Sequence, residues 1–162
     1  MPKAFKFGDN VDTDVIIPAR YLTTSDPDEL ARHALEDLDP VFASEVEPGD
    51  VVVAGANFGC GSSREHAALA LKGAGVGAVV ASSFARIFFR NAINMGLAVS
   101  TCPEAVDSID AGDEVRVDIA AGRVMNVTKD LAFDAEPLPE FVLGIVAAGG
   151  LVGWVRTRMG VV

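Results

Sequence analysis

The sequence predicts an α/β domain: a partly parallel central sheet covered by helices, followed by a β-rich C-terminal appendage. Three observations carry this. Between residues 50 and 101, three near-continuous apolar runs, "VVVAG", "GAVVASS" and "LAVST", alternate with two helical patterns. Runs without polar alternation are the signature of strands buried on both faces of a parallel sheet. After Pro103 the pattern changes to alternation around Ala-Gly in "DEVRVDIAAGRVMNV", as a hairpin requires. Half of the 162 residues are apolar and 22% are charged, so the chain can bury one real core and residues 1–162 are expected to form a single domain.

The elements follow in order. "AFKFGDNVDTDVIIP" reads as a short strand, an acidic turn and a second apolar run closed at Pro18. A strand there would set Asp12 and Asp14 on one face. "SDPDELARHALEDL" predicts a helix with Asp26 as N-cap, Pro27 at its first position and Glu29 three residues after the cap. Its apolar face would be Leu30, Ala34, Leu35 and Leu38. "EPGDVVVAG" is a turn and a buried strand, and "SREHAALALKGAG" is a helix closed by Gly73 or Gly75. "GAVVASS" is the next strand; Ser83 is placed to cap "FARIFFRNAIN", which Gly96 ends. "LAVST" completes the series. Beyond the hairpin, "LPEFVLGIVAAGGLVGWV" reads as a short helix, a Gly-Gly break and a closing strand or tail.

Net charge is −10, which argues against a nucleic-acid partner, since phosphate binding needs a basic face. No run of about 18 uninterrupted apolar residues is present, so no membrane span is expected. The opening "MPKAFKFGDNVDTDV" has no apolar signal core. The two cysteines, Cys60 and Cys102, form no CxxC pair, and a cytoplasmic protein with free thiols is the simplest expectation. Charge is unevenly spread: residues 26–50 hold nine acids and one base, whereas residues 51–100 hold one acid and four bases, Arg64, Lys72, Arg86 and Arg90. The acidic segment reads as a solvated flank. The basic segment reads either as scattered surface cations or as an anion site.

The decisive string is "NFGCGSSREH", residues 57–66. It is not a nucleotide loop: no lysine precedes Ser62 or Ser63, as GxxxxGK[ST] demands, and Arg64 stands where GxGxxG needs its third glycine. What remains is a helix N-terminus, with its unpaired N–H groups and positive dipole end, facing Ser62, Ser63 and Arg64. Gly59 and Gly61 would let backbone approach a ligand closely, and an arginine fork suits a carboxylate. The plainer reading makes Ser62 or Ser63 an N-cap and nothing more. For one serine the plainer reading would prevail; the ten residues together favour an anion site.

Other candidates are weaker. Cys60 with His66 as base would make a nucleophile pair and a cysteine-dependent hydrolase, but no third residue is evident to orient it. Cys60 reads better as packing and His66 as a helix residue bonded to a neighbour. Two cysteines and two histidines this scattered match no zinc spacing and cannot ligate an iron–sulfur cluster, so no metal is expected in this chain. Arg86 and Arg90 share a helical face, facing either solvent or an anion. Asp12 and Asp14 read as turn or interface residues before general acids.

Three segments, "GDNVDTDVIIPARYL" (8–22), "GANFGCGSSREHAALALKGAGVGAVVASSFARIFFRNAINMGL" (55–97) and "GDEVRVD" (112–118), together resemble the small-subunit family of the 3-isopropylmalate dehydratases. That family is similar to the mobile C-terminal swivel domain of aconitase. The resemblance implies an aconitase-like swivelling β/β/α domain that closes over a separate large subunit. In the family, that partner carries a 4Fe–4S cluster, so none is expected in this chain. It implies a hydro-lyase that shifts the hydroxyl of a small hydroxy-dicarboxylate to the adjacent carbon through an alkene.

By motif, Ser62 matches the serine that acts as base, and Ser63 and Arg64 match neighbours that hold substrate carboxylates. Gly59, Cys60, Gly61, His66 and Arg86 are possible supporting residues. The family's substrate-recognition loop corresponds to "ARYLTTSD" (19–26). Relatives acting on a substrate with an extra carboxylate are expected to place a cation after "YL", where this chain has Thr23. A neutral tail such as isopropyl, beside Tyr21 and Leu22, is therefore expected, with Arg20 still able to reach in. Homoaconitase-type and dimethylmalate-type substrates stay open, as does a non-catalytic anion-binding or assembly subunit.

Overall fold

Successive strand residues alternate between two buried faces, and the partners of each face define the layers. In the computed structural model, which describes residues 1–160, strands β1 (Ala4–Lys6), β2 (Val51–Ala54), β3 (Ala78–Ala81) and β4 (Val99–Thr101) form a parallel sheet in sequence order. Val52, Ala54, Val79, Ala81 and Val99 pack against one side of the molecule, with Leu71, Phe88 and Ile145. That side consists of α1 (Thr13–Ile16), α2 (Pro27–Ala31), α3 (Phe42–Glu45), α4 (Glu65–Gly73), α5 (Arg86–Met95) and α7 (Glu140–Ala147).

Val51, Val53 and Val80 face the other way, onto Ala105, Val106 and Ile109 of α6 (Pro103–Ser108) and its vicinity, and onto Val115 and Val124. Those two valines belong to an antiparallel sheet of β5 (Val115–Asp118), β6 (Arg123–Asn126) and β7 (Leu131–Asp134). The α, parallel-β and antiparallel-β layers match the expected fold, including the hairpin and the left-handed Gly96 (φ 80°) that ends α5. β7 carries no sequence signal, because its residues are mostly exposed at a sheet edge.

Four expectations are corrected. The run after the acidic turn is helical: Asp12 caps α1, its carboxylate accepting from the N–H groups of Asp14 and Val15, so Asp12 and Asp14 do not share a strand face. The helix from Asp26 stops at Ala31; Leu35 adopts φ 57° and donates its N–H to Ile16 O instead of up its own helix. That leaves Leu38 exposed. Ser83 does not cap α5; its Oγ accepts from Asn57 N–H, and Ala85 holds the cap position. The closing segment is a helix, α8 (Leu151–Arg158), turned by positive-φ Gly149 and Gly150.

Gly150 must be glycine, because a Cβ there would lie 2.6 Å from Asn94 O. Among the described residues no single helix is long and apolar enough to cross a membrane. Only α7 and α8 together reach that length and composition, and they are bent by 99°.

Candidate active site

The site is assembled where the parallel strands β1, β2 and β3 end, the edge at which α/β sheets bind ligands. Three segments are laced there. Asn10 N–H donates to Ala56 O, Gly59 N–H to Val11 O and Thr13 N–H to Cys60 O; on the other side Phe58 N–H donates to Ser83 O and Ala85 N–H to Phe58 O. The glycine loop is thus held as a strand-like centre between two neighbours, with isolated parallel bridges at Asp12–Cys60 and Phe58–Phe84. Gly59 is buried against α5, where a Cβ would stand 2.2 Å from Phe88. Gly61 (φ 91°) turns the chain outward.

Neither Ser62 nor Ser63 caps α4, contrary to the plainer expectation. Arg64 holds the cap position without a side-chain cap bond and Glu65 begins the helix. Both serine hydroxyls are exposed and make no hydrogen bond among the described residues. Ser62 is nevertheless positioned, because Thr13 Oγ1 donates to its carbonyl at 2.8 Å. Arg64, 19% exposed, donates from Nη1 to Asp14 Oδ1 at 2.5 Å. This hydrogen bond is the main reason the Asp14 carboxyl sits below its ordinary range. Two hydroxyls and a fixed guanidinium therefore share one open edge above the uncapped first turn of α4, an arrangement suited to an anionic ligand.

The 19–26 segment borders this edge. Its far end touches α4 through Ser25 Oγ and His66 Nε2, 3.4 Å apart. Its near end is a 3-10 turn, Ala19–Tyr21, gathered by Glu36. That carboxylate accepts from Arg20 Nη2 at 2.7 Å, from the Tyr21 hydroxyl and from His33 Nδ1 at 2.8 Å. Tyr21 stacks on His33 with ring centres 3.8 Å apart. Arg20, expected to be free to reach a substrate, is thus engaged. Leu22, half-buried, packs against the helical-side core, and Thr23 is exposed.

Partial burial works to raise the Glu36 carboxyl, but Tyr21, His33 and Arg20 outweigh it and lower it from 4.5 to about 2. A carboxyl depressed on folding stabilises the fold above its unfolded pKa and loses that contribution as pH falls through the folded value. Glu36→Gln should therefore lower the urea midpoint at pH 7, with the gap to the parent closing as pH drops below about 4.5 towards 2. A gap of constant size from pH 7 to 3 would contradict this.

The structure does not pair Cys60 with His66; the ring nitrogen of His66 meets Ser25, and Cys60 is a half-buried thiol whose carbonyl holds Thr13. Arg86 begins α5 and, with Ser82, Ser83, Phe89, Thr101 and Glu136, lines a hollow of about 330 Å³. Asn57 connects that hollow to the glycine loop by donating to Ser83 Oγ. Thr13 and Glu36 escaped sequence reasoning, whereas Asp14 was weighed with Asp12 as a turn or interface residue or a general acid, not as the partner of Arg64. The spacing of "DTD" carries the signal for Thr13 and Asp14, whereas Glu36 is hidden inside an acidic run.

The model of the aconitase C-terminal domain matches residues 10–104, the span that contains all three laced segments. The 3-isopropylmalate dehydratase small subunit of Caldicellulosiruptor bescii is 62% identical over 97% of this chain and 95% of its own length. The chain belongs to this family of aconitase-type dehydratase small subunits.

Within the family, the 2,3-dimethylmalate dehydratase small subunit of Eubacterium barkeri is 59% identical over 94% of this chain and 93% of its own length. The crystal structure of 3-isopropylmalate dehydratase (leuD) from Methanocaldococcus jannaschii superimposes with a TM-score of 0.92 at 47% identity, covering 98% of this chain and 93% of that one. Among the described residues no group of three or more His, Cys, Asp or Glu side chains is placed to hold a metal ion. Cys60 lies in the glycine loop and Cys102 is buried among the α6-side core. These two thiols do not fit the ligand set of an iron–sulfur cluster.

Proposed function

We propose that this chain, residues 1–162 as one swivel domain, is the small subunit of a 3-isopropylmalate dehydratase acting in leucine biosynthesis in the cytoplasm. With a large subunit it would interconvert 2-isopropylmalate and 3-isopropylmalate by loss and return of water. The observation that carries the reading is Ser62. Its hydroxyl is exposed and, among the described residues, unengaged, while its backbone is pinned by Thr13 49 residues away, beside an arginine already oriented by Asp14.

Ser62, as alkoxide, takes the proton from the carbon beside a substrate carboxylate. The C–H electron pair forms the alkene as the C–O bond on the adjacent carbon breaks, and the departing hydroxide is released as water with a proton supplied by an acid of the closed two-chain site. A serine is a poor base at its ordinary pKa. The dipole at the uncapped start of α4, and the Arg64 charge, favour the alkoxide once a partner closes the site against water. Ser63 and Arg64 hold substrate carboxylates, and Tyr21, Leu22 and Thr23 face the tail. Gly59 and Gly61 shape the loop; Cys60, His66 and Arg86 support it. The 4Fe–4S cluster of the family resemblance belongs, in this reading, to the large subunit, as this chain offers no ligand set for it. The open edge around Ser62 makes the isolated chain inactive.

The test is reconstitution with the cognate large subunit, its cluster restored without oxygen, following hydration of isopropylmaleate by loss of alkene absorbance. Turnover that requires both chains is expected. Consumption of dimethylmaleate instead would move the assignment to the second reading, which the 59% identity to the Eubacterium barkeri subunit supports. A complex that forms but consumes no substrate would replace both with a non-catalytic anion-binding role.

A further inference from the structure

We propose that Glu36 and Asp37 set the tail specificity of the site by withholding Arg20 from the substrate. The inference rests on the dehydratase reading above and adds two positioning residues to it. Arg20 is the cation of the segment bordering the serine edge, six residues beyond the Asp14 that holds Arg64. Its guanidinium forms a fork with Asp37, Nη2 to Oδ1 at 2.8 Å and Nη1 to Oδ2 at 3.3 Å, and Nη2 also reaches Glu36 Oε1 at 2.7 Å. It lies over the Tyr21 ring, 4.8 Å from the centre.

One exposed ion pair would hold an arginine weakly. Here the second carboxylate cannot follow Arg20 outward, because Glu36 is also bound by the Tyr21 hydroxyl and by His33, which is stacked on Tyr21. A bidentate fork, a second acceptor and an aromatic face together fix the guanidinium. The crest of the segment is left with Thr23, exposed and uncharged, between Leu22 and the Ser25–His66 contact. A substrate tail bearing an extra carboxylate would enter this region without a counter-charge and lose its hydration. A neutral branched tail pays no such penalty.

The experiment uses the reconstituted two-chain complex and compares kcat/KM for isopropylmaleate and for cis-homoaconitate, whose tail ends in a carboxylate. In Glu36→Gln/Asp37→Asn the ratio of cis-homoaconitate to isopropylmaleate should rise about tenfold or more, the scale of one gained charged hydrogen bond, chiefly through a lower KM for cis-homoaconitate. Adding Arg20→Gln to that background should return the ratio to the parent value, which a merely structural effect of the acidic pair would not do. Asp37→Asn alone, at an exposed position that leaves the Glu36 contacts intact, should shift the ratio in the same direction by a smaller factor. A ratio unchanged within twofold in both variants overturns the proposal, as does a shift that Arg20→Gln fails to reverse. Parent turnover of isopropylmaleate is read first and tests the dehydratase reading separately; without it, both fall.

Discussion

Ser62→Ala, assembled with its large subunit, should lose about 10³-fold in kcat, within the 10²–10⁴ range that one acid–base group contributes. KM should change little, because on the proposed reading Ser63 and Arg64 remain to bind carboxylates. Assembly should survive, since the Ser62 hydroxyl makes no hydrogen bond among the described residues and the contact that fixes this residue uses its carbonyl. Steady-state kinetics beside a gel-filtration profile of the complex separates these effects. A kcat within threefold of the parent would remove Ser62 as the base. Loss of assembly would make its role structural.

Gly59→Ala should be the most damaging single methyl in the loop. The added Cβ would stand 2.2 Å from both Cβ and Cγ of Phe88 at a φ of 82°. A left-handed non-glycine residue costs about 1–2 kcal/mol, and forcing an extra carbon into a packed core costs about 1–3 kcal/mol more. Because the ring belongs to α5, relief requires moving that helix or the loop, and the loop carries Ser62. Gly61→Ala isolates the conformational part: its φ is 91°, but the nearest atom to an added Cβ is 3.6 Å away. Urea unfolding of the free chain should show Gly59→Ala falling well below Gly61→Ala in midpoint. Equal midpoints would mean that conformation, not contact with Phe88, demands the glycine.

Much of the fold was legible because it rests on neighbours in the chain. β2, β3 and β4 are read from unbroken β-branched and alanine runs, since both faces of each strand are buried. The hairpin of β5 and β6 is read from alternation, and the end of α5 from the glycine that takes φ 80° there. The string Ser62, Ser63 and Arg64 reads as an anion-seeking cluster from residue chemistry, and the family resemblance is carried by the three segments 8–22, 55–97 and 112–118.

The rest depended on partners far along the chain. Local rules made Ser62 or Ser63 a helix cap, yet hydrogen bonds between segments 49 and 50 residues apart, Thr13 to Ser62 and Arg64 to Asp14, place both serines outside α4. Arg20 looked free until the fold set Glu36 and Asp37 beside it. The helix from Asp26 looked longer until Ile16 O claimed the Leu35 N–H. The closing apolar run could equally have been a strand, and it becomes α8 after the turn at Gly149 and Gly150, which packs beside Gly96. The sequence by itself determined which residues form β1 to β6 and which polar side chains the loop carries, because burial pattern and side-chain type are local properties. Only the tertiary structure decided which charges are paired and which hydroxyls are left free, because those depend on which segments the parallel sheet brings to one edge.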